Sequence, residues 1–278
     1  MSAPPFFVQP ITPPDANDWP VGEPWPPSNL PEEDGENLES SWHRDAMILL
    51  IELIRFLFQG RTDFFVGGNM FIHFSARQVR NLDFRGPDVF LVKGVDGTYQ
   101  RRYWAIWDEQ GRFPNLIIEL LSPTTSKADR TNKKDVYERT FRTPEYFLYD
   151  PDTEQLDGWR LDTALHYQAI PTNERGWMWS EQLGAWIGTW RGKLPGHVEQ
   201  QEQVWLRFFN TENELIPNFA EDAARRARQE HDCVVVEEER ANKATDRANK
   251  EKERADKALA ELARLQALLA EREDKPST

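Results

Sequence analysis

Met47, Leu49, Leu50, Leu53, Ile54, Leu57 and Phe58 recur at helical spacing and give a broad apolar face to a helix beginning near Glu39 to Ser41. Such a face predicts a helix lying against a sheet. Shorter apolar runs bounded by turn residues follow, predicting strands at Phe64–Val66, Asn69–Phe74, Asp88–Val92, Asn115–Leu121 and Glu145–Tyr149. Between the last two, Lys127–Arg142 reads as a helix, and a helix joining two strands suits a right-handed crossover. The order helix, strands, helix, strand implies an α/β domain with a mixed sheet flanked by helices. Asp150-Pro151 reads as the end of that core, with Leu156–Leu161 and His166–Ile170 as antiparallel strands beyond it, continuing to about Phe209. Trp159, Trp177, Trp179, Trp186 and Trp190 read as packing residues rather than a ligand cage.

The two ends follow different patterns. Ten of the 19 prolines fall within residues 1–31, and strings such as Pro24-Trp25-Pro26-Pro27 sustain neither helix nor central strand. Residues 1–35 are therefore expected to form a flexible, Pro-rich arm. From about Ala220 the segments Arg240-Ala241-Asn242-Lys243, Arg247-Ala248-Asn249-Lys250 and Arg254-Ala255-Asp256-Lys257 recur every seven residues. This is a heptad signature. Ala241, Ala248, Ala255, Leu262 and Leu269 occupy one seam position; Ala244, Glu251, Ala258 and Leu265 occupy the other. Leucine enters only late, so residues 220–275 predict a long helix with a weak coiled-coil seam, serving a homodimer, serving a helical partner, or standing as a solvated single helix. Residues 36–212 are left for the α/β domain.

A net charge of −13 over 278 residues argues against indiscriminate nucleic-acid binding, which needs concentrated Lys and Arg. The charge is nevertheless segregated. Between Lys127 and Arg142 six basic residues face three acidic ones, giving a positive patch beside the strand Asn115–Leu121. The single cysteine, Cys233, excludes an internal disulfide and any multi-cysteine zinc site. The five histidines show no zinc-binding spacing. No apolar run approaches the roughly 18 residues of a membrane span, and no N-terminal basic-then-apolar leader is seen, so a cytoplasmic protein without membrane partners is expected.

The candidate chemistry centres on Glu119. It sits inside Leu116-Ile117-Ile118-Glu119-Leu120-Leu121, between Pro114 and Pro123, where a core strand is predicted. A carboxylate buried there must be paired, protonated or bound to a cation. Gly86-Pro87-Asp88 introduces a second apolar run, Val89-Phe90-Leu91-Val92, so a second acid stands at the start of another strand. Asp129, Lys133 and Tyr137, four residues apart, share one face of the intervening helix. That face starts near the end of the Glu119 strand, so Lys133 is expected to point back to the acids, whereas Asp129 and Tyr137 read as structural contacts. Two carboxylates and a lysine meet the needs of metal-assisted phosphodiester hydrolysis: the acids fix Mg2+, with Mn2+ as a substitute, and lysine orients the nucleophile or stabilises the transition state.

Glu39-Ser40-Ser41-Trp42-His43, Pro87-Asp88-Val89, Ile118-Glu119-Leu120-Leu121-Ser122-Pro123-Thr124-Thr125, Asp129 with Lys133 and Tyr137, Pro144-Glu145-Tyr146 and Asp150-Pro151 occur in this order. The set resembles the restriction endonuclease domain family, a branch of the PD-(D/E)XK phosphodiesterases, over roughly residues 35–210. The resemblance implies a restriction-endonuclease-like core, with Asp88 and Glu119 as metal ligands and Glu39 as an auxiliary acid. One departure stands out. The superfamily motif places lysine two residues after the glutamate, where this chain has Leu121; the basic role is then expected to pass to Lys133 on the following helix. His43 reads as either a supporting residue behind the acids or a helix-packing residue, with packing preferred. The function expected is a Mg2+-dependent endonuclease acting on DNA. The alternative is an inactive nuclease fold serving as a nucleic-acid or protein interaction module through its helical tail.

Overall fold

The computed structural model describes residues 30, 40–75, 86–121, 133–195 and 202–273. The Pro-rich arm apart from Leu30, Glu39, the segment Ser122–Thr125 and Asp129 lie outside the described residues. The chain divides into two compact units, Met1–Ala220 and Glu221–Thr278. No helix among the described residues is long and apolar enough to cross a membrane.

Helix α1 (Ser41–Leu57) is capped by Ser40, whose side chain accepts from the His43 N–H. Its buried positions, including Ala46, Met47, Leu50, Leu53 and Ile54, repeat at three and four residues and fix the face that packs. Six strands make the main sheet in the order β1 (Phe64–Gly67), β3 (Val89–Lys93), β5 (Leu116–Leu120), β6 (Glu145–Asp150), β7 (Gln155–Leu161), β8 (Tyr167–Ala169). Only the β5–β6 pair is parallel; the other neighbours run antiparallel, so the sheet is mixed. A second sheet joins β9 (Met178–Ser180), β10 (Ala185–Gly192) and β11 (Gln203–Phe209). The expected strand at Asn69–Phe74 shortens to β2 (Ile72–His73), paired with the two-residue β4 (Trp104–Ala105) away from the main sheet.

The core does not end at Asp150-Pro151. Residues 151–154 form a turn, and Glu154 adopts a positive φ of 56° that reverses the chain into β7. The proline begins a hairpin rather than a boundary. Gly158 on β7 is required by close approach, since a Cβ there would lie 2.7 Å from Met178 Sδ and 2.8 Å from the Phe147 ring. The α/β domain also extends past residue 212, because Ile216 is buried in the core and Phe219 packs edge-on to Phe56.

Alternation along β3 and β5 divides the interior in two. Val89, Leu91, Leu116, Ile118 and Leu120 join α1 and the second sheet in one cluster. Phe90, Val92, Ile117 and Leu121 join Trp104, Tyr137, Phe141 and Tyr146 in the other. Glu119, between Ile118 and Leu120, belongs by alternation to the second face. The expected tryptophan packing is seen in the stacking of Trp177 on Phe209 and Trp159 on Tyr146.

The helix expected at Lys127–Arg142 is described from Lys133. An α turn at 133–135 passes into a π-helical turn, Val136–Thr140, in which the Phe141 N–H bonds the Val136 carbonyl at 2.9 Å. Such wide turns recur at functional sites. Beyond the domain, α2 (Phe219–Glu273) is a single helix of 55 residues, stabilised by pairs such as Lys243 with Glu239 one turn away.

Candidate active site

Burial and pairing explain how the two acids come together. Val89 of β3 lies opposite Ile118 of β5, so Asp88 and Glu119 each stand one residue beyond that pair. The Leu120 N–H donates to Asp88 Oδ2 at 2.7 Å, using a backbone donor at the strand end. The Asp88 carboxylate lies near enough to Glu119 for the two to repel. Glu119 is only 3% exposed, and burial pushes its carboxyl up to about 7. Lys133 opposes that rise, Asp88 adds to it by repulsion, and a hydrogen bond from Tyr137 opposes it.

The helix after β5 supplies both counterweights. Lys133 Nζ donates to Glu119 Oε2 at 3.3 Å, and the Tyr137 hydroxyl donates to Oε1 at 2.7 Å. Four-residue spacing puts both side chains on one face, as anticipated, and they divide the two Glu119 oxygens between them. Tyr137 was expected to be structural; its fully buried hydroxyl instead ends on the central carboxylate, and its own burial, reinforced by the Glu119 charge, holds the phenol well above its usual range.

His43 combines the two roles open to it, packing and support of the acids. It is 7% exposed and packed, yet its Nε2 lies 2.9 Å from Asp88 Oδ1. Both Asp88 oxygens are thus oriented, one by α1 and one by the Leu120 backbone. The sequence signal for His43 was its place in the first turn of a capped helix beside an acidic motif. Leu121, where the superfamily motif would place lysine, is buried in the aromatic cluster, and its N–H bonds the Tyr149 carbonyl at 2.7 Å.

Among the described residues no group of three or more His, Cys, Asp or Glu gathers as a metal site. The Asp88–Glu119 pair nonetheless fits a hard divalent cation. Its carboxylates are adjacent, one is buried, and their repulsion is of the kind a cation relieves. Mg2+ characteristically takes one or two carboxylates and keeps several waters.

The model of the family described as "Uma2: Putative restriction endonuclease" matches residues 34–191. The chain belongs to the Uma2 family. The matched span includes α1, both acids and Lys133. Among solved structures, the chain is similar to a crystal structure titled a putative nuclease belonging to DUF820 from Anabaena variabilis, with 14% identity, coverage of 53% of this chain and 76% of that chain, and a TM-score of 0.39. No curated protein matches.

Proposed function

We propose that this Uma2 protein is a metal-dependent endonuclease that hydrolyses DNA phosphodiester bonds. The observation that carries the proposal is the convergence of Asp88, Glu119 and Lys133, with Lys133 Nζ 3.3 Å from Glu119 Oε2. Asp88 and Glu119 would hold Mg2+, or Mn2+ in its place. The ion would supply Lewis acidity toward the phosphate and a more acidic bound water.

The protein's own groups do the rest. His43 and the Leu120 N–H fix the orientation of Asp88, and Tyr137 fixes that of Glu119. Lys133, at 25% side-chain exposure, stands between the buried acid and solvent, where an incoming phosphate would pass. Its ammonium orients the nucleophile or balances charge on the phosphate, the work expected of the lysine that Leu121 replaces. Glu39 is proposed as an auxiliary acid from the resemblance alone. Lys134, Arg139 and Arg142 on the same segment supply charge for the DNA backbone.

The test is nicking of supercoiled plasmid by purified protein with Mg2+ or Mn2+, compared with Glu119→Gln. Cutting by the wild type and its loss in the variant supports the reading. No cutting with either metal overturns it, and the buried Leu121 then favours the second reading, a nuclease fold that binds nucleic acid or protein without cutting, with α2 as the contact element.

A further inference from the structure

A cavity of about 510 Å³ opens beside the acids, within the size range of small-molecule sites. It adjoins the site through a shared side chain: His43 lines it while bonding Asp88, and Leu121, two residues beyond Glu119, forms another wall. Trp42, Leu121 and Val204 make the apolar walls. The Trp42 ring is held in place by an indole N–H donated to the Val204 carbonyl at 3.3 Å and by stacking on Trp205. Asp152, Glu154 and Gln203 bring hydrogen-bond acceptors, and Arg191 is the guanidinium in the lining, already bonded to Glu154 Oε1 at 2.7 Å.

This lining selects against a phosphate, because two carboxylates outnumber one guanidinium that is already engaged. It favours a flat, uncharged ligand with N–H donors along its edge. Attached to a chain whose phosphate lies at Asp88 and Glu119, such a group is a nucleobase. A base inside a duplex has that edge occupied by its partner, so only an unpaired one presents it.

We infer that the cavity lined by Trp42, Leu121 and Gln203 receives an unpaired nucleobase next to the phosphate held at the acids. The inference rests on the nuclease reading for the polarity of the substrate, and it deepens that reading to single-stranded or branched DNA.

The experiment uses the full chain with Ca2+ in place of Mg2+, so that a cation bridges the acids and the phosphate, and intact labelled strands on a gel show that binding is read without cutting. Three dye-labelled oligonucleotides are compared: a junction with one unpaired 2-aminopurine, the same sequence fully paired, and the same junction with an abasic site. The wild type should bind the first about tenfold more tightly than the others, as expected for one stacked base, with a change in 2-aminopurine emission. Gln203→Trp, which fills the cavity away from the acids, should erase the preference while leaving affinity for the paired duplex unchanged. Equal binding of all three by the wild type, or a preference that survives Gln203→Trp at unchanged melting temperature, overturns the base site. Cutting in Mg2+ is scored separately. A base preference without cutting upholds the cavity's role and removes the nuclease reading; cutting without the preference removes the base site alone.

Discussion

Lys133 reaches back to Glu119 across 14 residues of chain, placing Nζ 3.3 Å from Oε2 while Tyr137, one turn later, takes the other oxygen. The lysine is therefore part of the electrostatic balance of the acidic pair before any metal binds. Lys133→Met should abolish plasmid cutting while leaving metal binding largely intact. Because Lys133 holds the Glu119 carboxyl down, its removal raises that group further, and the pH of half-maximal metal binding should move upward. Calorimetric titration with Mn2+ across a pH series checks both outcomes. Normal cutting by the variant would show the basic role to lie elsewhere, with Lys127 or Lys134 next in line.

Glu119→Gln should keep the fold and remove activity, since it deletes the anionic ligand at nearly constant volume. It should also change how metal-free stability depends on pH. The folded Glu119 carboxyl titrates at about 7, above the ordinary 4.5, so the proton is bound more tightly in the folded state. Its contribution to stability is present below the ordinary glutamate value and is lost as pH rises through about 7, by at most roughly 3 kcal/mol. Urea unfolding in EDTA at acid and alkaline pH should show this loss in the wild type and a flatter profile in Glu119→Gln. The same sign makes metal binding strengthen with rising pH, as the cation displaces the proton.

His43→Ala should leave cutting chemistry in place but lower metal affinity about 10- to 100-fold, the usual effect of losing a group that orients a ligand. The motivation is the 2.9 Å contact to Asp88 Oδ1. Excess metal should restore most of the cutting rate. Unchanged metal affinity and an unchanged cutting rate at a lowered melting temperature would assign His43 to packing alone.

Much of this site could be read before any coordinates. An acid inside an apolar run between two prolines is hard to place except on a core strand, and a Pro-Asp step ahead of a second run puts a partner at its start; helical spacing from the end of the Glu119 strand turns Lys133 back to the acids. Tyr137 and His43 were underestimated because a tyrosine or histidine on an apolar face is by default packing, and only the third dimension shows its polar atom ending on a carboxylate. The π turn leaves no trace in apolar spacing. Asp150-Pro151 misled because proline marks a boundary and a tight hairpin equally well, and β4, with two residues, is too short to carry a period.

Glu145, also part of the recognised motif, has a structural task. Its side chain is fully buried and accepts from Ser180 Oγ at 2.5 Å, Glu181 N–H at 2.8 Å, Gln182 N–H at 3.2 Å and Arg160 Nε at 2.9 Å. It ties β6 to β7 and to the end of β9. Glu145→Ala leaves the Ser180 hydroxyl and the Glu181 and Gln182 N–H groups without their acceptor, while Arg160 keeps Glu181 and the Trp179 carbonyl, so a loss of roughly 1–3 kcal/mol in urea unfolding is expected, whatever the metal concentration.

The helical tail carries the last prediction. Of the seam leucines, Leu262 and Leu265 are 55% and 56% exposed on α2, while the preceding seam positions Ala241, Ala248 and Ala255 offer little area. Any pairing of two tails must therefore draw mainly on the leucines at the end, each worth roughly 1.5–3 kcal/mol when buried. A homodimer would present two acidic pairs to the two strands where a duplex opens or branches. Deleting the residues after about 220 should leave the α/β unit folded, reduce the mass seen by light scattering from dimer to monomer, and shift plasmid products from linear to nicked. Leu262→Lys with Leu265→Lys in the full chain should reproduce the mass change without shortening the protein. Equal monomer masses for full-length and truncated protein would remove the homodimer and assign α2 to a different helical partner.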